Sequence, residues 1–292
     1  VAVQSVLPGH IVVACDNDDP AIAELVCECT AEFGVAMSIV QRSNMGGCRV
    51  GQARNNGFKG VRALGAVDDD RVLYFDGDIC PAKDVVEIHR KRGVSADLLI
   101  GFRIELTEAQ TEVFDEAQVR DGKPPAAITA EQLAGLSQRD ARYRRQLFLR
   151  KLHLTKQHKP KLLSAHFSVS VRGMARVNGF DEEFTGWGQE DDDLGRRLHA
   201  SGASSEIVIR EAVAYHQWHA TRAPGNWKDS AGVERFHRNL HWHCARGIVE
   251  PLEQPRPILR RFEGGREIER IELENPVREP AKRERTGAAA SS

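Results

Sequence analysis

The sequence predicts an α/β fold, a Rossmann-like layering in which a mostly parallel central sheet is flanked by helices. Three observations carry that expectation. Strand-sized apolar runs alternate with helical stretches through the first hundred residues, acidic and glycine-rich segments follow the carboxyl ends of those strands, and no apolar run is long enough to cross a bilayer.

The alternation begins with HIVVACDNDDP (10–20), a continuous apolar run of the kind found in buried strands, with Asp16 at its end. AIAELVCECTAEFG (21–34) is helical, and VAMSIVQR (35–42) is a second strand. A glycine-rich loop, NMGGC, then leads into a helix through GQARNNGFKG, and DDDRVLYFDGDICPA (68–82) is a strand ending in acids. A helix over 83–92 precedes the strand ADLLIGFRI (96–104). From about 104 the rhythm breaks into a polar stretch holding Lys123-Pro124-Pro125, followed by a helical, basic segment. Strand-like SAHFSVSVRG (164–173) and SEIVIREAVAYH (205–216) restore the α/β pattern, and from Glu250 the chain is rich in proline and mixed charge. The expected organisation is therefore 1–103 and 164–249 as two halves of one α/β domain, 104–163 as a helical, basic insertion, and 250–292 as an extended or disordered tail.

The composition excludes several classes. A chain of 292 residues with 41% hydrophobic content can bury a sizeable core, and a net charge of −1 gives no electrostatic case for nucleic acid. Six cysteines without a CxxC pair do not make a disulfide framework, which points to a reducing cytoplasm. Between Arg139 and Lys161 nine Lys or Arg residues face one acid, Asp140. This reads either as a solvated helix face anchored by Leu147, Leu149, Leu152 and Leu154, or as a basic edge for an anionic acceptor or an anionic, inner-membrane surface.

The richest stretch is GFDEEFTGWGQEDDDLGRRL (179–198), where a Gly-Trp-Gly loop runs into four carboxylates that open a helix. With about 100° per residue, Leu194 and Leu198 define the buried stripe, Glu190 and Asp191 fall beside it, and Asp192 and Asp193 point away, Asp193 within reach of Arg196 or Arg197. Complementing the helix dipole explains the outer pair. Inward carboxylates behind a tryptophan loop need a cation, a donor or a substrate, which makes Glu190 and Asp191 candidate catalytic groups.

Other segments supply partners for that pair. LYFDGDI delivers Asp76 and Asp78 at a strand end with glycine between them, suited to Mg²⁺ or Mn²⁺ bridging phosphate oxygens, although strand-end aspartates also cap turns. AVAYHQWH adds His216 and His219, and imidazole with carboxylate favours Mn²⁺. The loop NMGGCRVGQARNNG offers Asn44 and Gly46 for phosphate contact and Arg54 for a diphosphate, or else its glycines serve turns alone. Trp187, next to Gly188, either presents an apolar face on which a sugar ring can pack or is an ordinary core tryptophan.

In this order IVVACDND, NMGG, GQARNNG, FDGD, GWGQEDDD and YHQWH resemble the inverting GT-A glycosyltransferases. The likeness is to bacterial family 2 enzymes with the carboxyl-terminal motif of the β-1,4-galactosyltransferases, over roughly residues 1 to 220. The resemblance implies transfer from a nucleoside-diphosphate sugar, such as a UDP-linked hexose or N-acetylhexosamine, to a glycan or lipid-linked saccharide acceptor. It implies Asp16 at the nucleotide base, Arg54 near the diphosphate, Asp76 near the ribose and Asp78 on the metal. It further implies Trp187, Gly188 and Glu190 in the acceptor and donor-sugar loop, and Asp191 as the base. His219 corresponds to the family's histidine ligand and His216 to its methionine ligand. Family members open with a strand ending in a Pro-x-Tyr/Phe-Asn-like sequence, whereas this chain starts VAVQSVLPGH, so the resemblance implies that a first strand and helix of the fold are missing here. A metal-dependent hydrolase of nucleotide sugars or phosphoesters and a non-catalytic carbohydrate-binding module are the competing classes.

Overall fold

Two parallel strands, β1 (Ile11–Ala14) and β2 (Met37–Gln41), are joined by helix α1 (Pro20–Phe33). The boundaries of α1 are chemical: the Asp19 carboxylate accepts the Ala21 N–H ahead of Pro20, and Gly34, at φ 61°, returns its N–H to Thr30 O. Helix α2 (Val50–Ala63) packs on this pair through Gly57 and Gly60, where an added Cβ would lie 2.9 Å from Ala14 Cβ and 2.7 Å from Val40 Cγ2. Glycines of the GQARNNGFKG segment thus serve helix–sheet contact. The computed structural model describes residues 1–121, 123, 128–220, 230–238 and 241–274.

The chain continues through β3 (Arg71–Phe75), β4 (Ile79–Pro81), α3 (Val85–Arg92), β5 (Leu98–Ile100) and β6 (Ile104–Glu105). Helices α4 (Glu108–Glu112), α5 (Glu116–Arg120) and α6 (Ala130–Lys151) come next, then β7 (His166–Ser170), α7 (Val171–Arg176) and α8 (Glu190–Ala200). It ends with β8 (Ser205–Ile207), β9 (Ala214–His216), α9 (Ala231–Arg238), β10 (Ile258–Glu263) and β11 (Arg266–Glu272). Among the described residues the strands form three sheets, in the orders β1-β2-β10-β11, β3-β7-β5-β8 and β4-β9-β6.

The α/β class with flanking helices is observed, but the pairing is mixed rather than mostly parallel. β1/β2, β5/β8 and β6/β9 run parallel, while β7 enters between β3 and β5 antiparallel to both, and β4/β9, β2/β10 and β10/β11 are also antiparallel. Alternating apolar strands and helices report burial, whereas direction depends on where each strand re-enters a sheet. The runs 96–104 and 205–216 each divide in two for the same reason, since both cross from the second sheet to the third. At the first crossing, Gly101 leaves room for the His166 ring, which lies 2.7 Å from where a Cβ would be. β6 therefore belongs to a sheet although it falls inside the expected 104–163 insertion.

The expected extended or disordered tail is corrected over its first part. β10 and β11 form a hairpin, and β10 pairs with β2, burying Leu259 and Phe262. The remainder of that tail, 275–292, lies outside the described residues. On α6 and the turn after it, Leu147 packs against the main core, but Leu152 and Leu154 are 50% and 69% exposed and lie outside that core. No helix among the described residues is long and apolar enough to cross a membrane. All six cysteines are free.

The main core sits between the second sheet and α8. Tyr74 of β3 stacks on Phe167 of β7 at 4.7 Å between ring centroids, Phe180 meets both edge-on, and Leu194 and Leu198 complete the wall as their phase predicts. The outward placement of Asp192 and Asp193 is corrected: both are buried, Asp193 completely. Helix phase locates residues relative to one wall, but α8 has walls on several sides. Gly195 faces Leu162, where a Cβ would sit 2.8 Å from the leucine Cβ, and Arg196 donates to Phe236 O of α9.

Candidate functional site

Of the four acids that open α8, Glu190 and Asp191 are only partly buried, and the helix begins abruptly. Gly186, Gly188 and the capping residue Gln189 all have positive φ (108°, 94° and 75°), which turns the chain from the Trp187 loop straight into the helix. Trp187 is 43% exposed, and the loop is held by a hydrogen bond from Gly186 N–H to Cys48 O. The tryptophan loop therefore lies beside the NMGGC loop. Within NMGGC, Asn44 Oδ1 accepts the Gly46 N–H at 2.6 Å, an Asx turn that leaves both residues exposed.

Arg54, on the first turns of α2, joins three remote segments. Its guanidinium lies 2.5 Å from Asp76 Oδ1 and 3.8 Å from Glu190 Oε1, and it packs over the Phe180 ring. One arginine nitrogen, Nη1, is buried without a hydrogen-bond partner among the described residues. Burial raises the Glu190 pKa, Arg54 opposes that shift, and the charges of Asp76 and Asp192 add to it. Asp191 is pushed up to about 7, by burial first and then by its carboxylate neighbours Glu190 and Asp192. Its Oδ1 accepts the Asp192 N–H at 2.7 Å. Asp192 itself pairs with Lys161, and Asp193 with Arg196 and Arg197, so these two acids are structurally committed. Asp16 lies beyond β1, where its carbonyl accepts from Arg42. Burial raises the Cys48 thiol, and Glu190 and Asp16 both add to it, which puts Asp16 at the same end of the molecule.

Asp78, His216 and His219 form a second cluster, with one ligating atom from each lying within 4.8 Å of the others. Asp78 Oδ2 is 3.4 Å from His216 Nε2 and 3.1 Å from His219 Nε2, and Gln217 N–H donates to Asp78 O, which fixes the DGD turn against the HQWH segment. His216 Nδ1 lies 2.7 Å from Glu105 Oε2, and His219 Nδ1 lies 3.0 Å from Ala220 O. A neutral imidazole has one N–H, and Glu105 Oε2 and Ala220 O are acceptors placed to take it at Nδ1, the tautomer that leaves Nε2 facing Asp78. Two Nε2 lone pairs and a carboxylate oxygen then converge, and Asp78 Oδ1 is buried without a hydrogen-bond partner among the described residues. That donor set fits a divalent cation accepting imidazole and carboxylate.

The structure thus brings Arg54, Asp76, Glu190 and Asp191 into one group, and Asp78, His216 and His219 into another. Arg103 and Glu105 are residues the sequence reading did not single out. Arg103 lies 3.9 Å from Asp76 Oδ2 and 2.7 Å from Glu105 Oε1, which connects the two groups. The signal available was the pair of charges following the apolar run LLIGF, and it is faint.

Comparison with known proteins adds a partial match. A family model described as the N-terminal domain of galactosyltransferase matches residues 145–219. Validoxylamine A glucosyltransferase from Streptomyces hygroscopicus subsp. jinggangensis (strain 5008) is 49% identical over 90 residues, 30% of this chain and 17% of the relative. Its counterpart from subsp. limoneus is 49% identical over 90 residues, covering 16% of that protein. The chain therefore spans about a sixth of the length of these curated relatives. A solved structure of GalNAc-T7 with UDP, GalNAc and Mn²⁺ aligns at a TM-score of 0.45 and 13% identity, over 78% of this chain and 41% of that one. The stretch from the end of α6 to His219, which holds the Trp187 loop, the α8 acids and both histidines, is the part that resembles a galactosyltransferase domain.

Proposed function

We propose that this chain carries the catalytic site of a divalent-cation-dependent glycosyltransferase of the GT-A type. It would move a sugar from a nucleoside-diphosphate donor to a glycan acceptor with inversion. The observation that carries this reading is the convergence at Arg54 of the strand-end Asp76 and the helix-start Glu190, beside an Asp78/His216/His219 donor set. The match of residues 145–219 to a galactosyltransferase domain and the validoxylamine A glucosyltransferase relatives support it.

In this reading the acceptor hydroxyl attacks the anomeric carbon as the bond to the nucleoside diphosphate breaks, and the hydroxyl proton passes to the Asp191 carboxylate. With its pKa raised to about 7, Asp191 is a stronger base than an ordinary aspartate. Glu190, held near Arg54, faces the donor sugar. Arg54 and Asp76 orient the diphosphate and ribose, and Trp187 offers its exposed face to a sugar ring. Asp78, His216 and His219 would hold a divalent cation, which would supply charge neutralisation for the diphosphate leaving group.

A thermal-shift panel of nucleotide sugars with and without Mn²⁺ tests the proposal. Donor-dependent stabilisation that requires the cation supports it, as does an Asp191→Asn variant that keeps donor binding and loses transfer. Metal binding without any nucleotide effect indicates a hydrolase. Unchanged carbohydrate affinity in Asp78→Ala, with no nucleotide binding, indicates a binding module.

A further inference from the structure

Beside the proposed cation site, one pair of residues does work that the ligands cannot do for themselves. We propose that Glu105 and Arg103 are positioning residues: Glu105 holds His216 in the tautomer that presents Nε2 toward Asp78, and Arg103 holds Glu105 while touching Asp76. This inference rests on the cation reading of the Asp78/His216/His219 cluster.

The backbone sets the pair up. β6 and β9 run parallel with Glu105 in register with His216, so the two residues are cross-strand neighbours by construction. Gln132 Nε2 donates to Glu105 O at 2.8 Å, and Leu106 N–H donates to His216 O at 3.0 Å, so both backbones are tied at this point. The carboxylate is then divided between two donors. Oε2 faces His216 Nδ1 at 2.7 Å, and Oε1 accepts from Arg103 Nε at 2.7 Å.

Exposure supports the assignment of roles. His216 and Arg103 are only 12% and 19% exposed as side chains, whereas Glu105 is 56% exposed. Glu105 is therefore no part of the core. Its carboxylate is placed by the two donors it serves, and it gains little as a surface ion pair. A carboxylate accepting Nδ1–H from a ligating histidine fixes the ring orientation, keeps the Nε2 lone pair free and makes it a better donor. His219 has a carbonyl, Ala220 O, in that place, so the two histidines are oriented by different acceptors. Arg103 Nη1, 3.9 Å from Asp76 Oδ2, joins this arrangement to the residue proposed to contact the nucleotide.

The test uses the full chain and Mn²⁺ alone, with free Mn²⁺ read by electron paramagnetic resonance. A second readout takes the His216 ring tautomer from long-range ¹H–¹⁵N correlation in metal-free protein, assigned by its loss in His216→Ala. Glu105→Ala is expected to weaken Mn²⁺ binding about 10- to 100-fold and to turn a single Nδ1–H tautomer into a mixture. Glu105→Gln, whose amide oxygen can still accept from Nδ1, is expected to recover the tautomer and most of the affinity.

Wild-type affinity in Glu105→Ala alongside weak binding in His216→Ala would overturn the proposal, as would equal losses in Glu105→Ala and Glu105→Gln, or an unchanged tautomer in Glu105→Ala. Absence of Mn²⁺ binding by the wild type would sink the cation reading itself, and the tautomer measured in metal-free protein would still decide what Glu105 does. If Glu105→Ala does not fold by circular dichroism, Glu105→Gln and Glu105→Asp carry the comparison.

Discussion

Arg197 and Asp193 form an ion pair in which neither side chain reaches solvent, with Nε 2.6 Å from Oδ2. The guanidinium also donates to Val177 O and Gly179 O, both at 2.8 Å, so the pair fastens α8 to the turn that leads into Phe180. Removing one partner of such a pair leaves a buried charge uncompensated, at a cost of about 3–5 kcal/mol. Asp193→Ala is therefore expected to lose about 3–5 kcal/mol of stability, as read by urea denaturation. A change under about 1 kcal/mol would mean that the guanidinium finds water or another acceptor.

Asp191 makes a pH prediction with a definite sign. An aspartate with a folded pKa near 7 and an unfolded value of 3.8 binds more protons in the folded state between those limits. Its contribution is complete below about pH 4 and is lost as pH rises through 7, by up to about 1.4 kcal/mol per pH unit within the window. His89, His166 and His199, whose pKa values are lowered by burial, act in the opposite direction and destabilise as pH falls below 6.5. The difference between wild type and Asp191→Asn isolates the aspartate: the variant should gain relative stability from pH 5 to pH 8. In kinetics, kcat/KM should rise as pH passes 7, and Asp191→Asn should lose about 10²- to 10⁴-fold. A flat stability difference across that range would show that Asp191 titrates as an ordinary carboxyl.

Much of this architecture was legible in the residues. The strand-sized runs from 11 to 100 fall where the strands are, and Leu194 and Leu198 face the core as their spacing requires. Two things were hidden. Periodicity places a residue relative to one wall, so it missed that α8 is enclosed on several sides and that Asp192 and Asp193 are buried. Pattern also carries no information about meetings between remote segments. Arg54, Asp76 and Glu190 belong to three elements, and Glu105 sits on a strand of two residues with no period to read.

The carboxyl-terminal hairpin was hidden by its charge. Ion pairs Arg260–Glu267 and Arg261–Glu269 cross its strands, which makes the segment read as solvated, while Leu259 and Phe262 supply its buried contacts. Leu259 is completely buried against Val40 and Leu273, so Leu259→Ala should cost about 2–5 kcal/mol in a urea titration. A loss under 0.5 kcal/mol, about what a surface substitution costs, would show that the hairpin does not cover β2 in solution.

Arg54 gives the sharpest test of how the two halves of the site cooperate. The same guanidinium contacts Asp76, proposed for the nucleotide, and approaches Glu190, proposed for the sugar, and its buried Nη1 has no hydrogen-bond partner among the described residues. A hydrogen bond to a charged group contributes about 1.5–3 kcal/mol, so Arg54→Met should weaken nucleoside-diphosphate binding roughly 10- to 100-fold by calorimetry. Arg54→Lys should restore little of it, because an ammonium is a point charge and cannot span Asp76, Glu190 and a diphosphate as a planar fork does. Loss of the guanidinium also removes a charge that opposes the raised pKa of Asp191, the proposed base, so the variant's activity should shift to a more alkaline profile. Undiminished nucleotide affinity in Arg54→Met would leave the arginine as an internal brace between Asp76 and Glu190, and the diphosphate would have to be held by other residues.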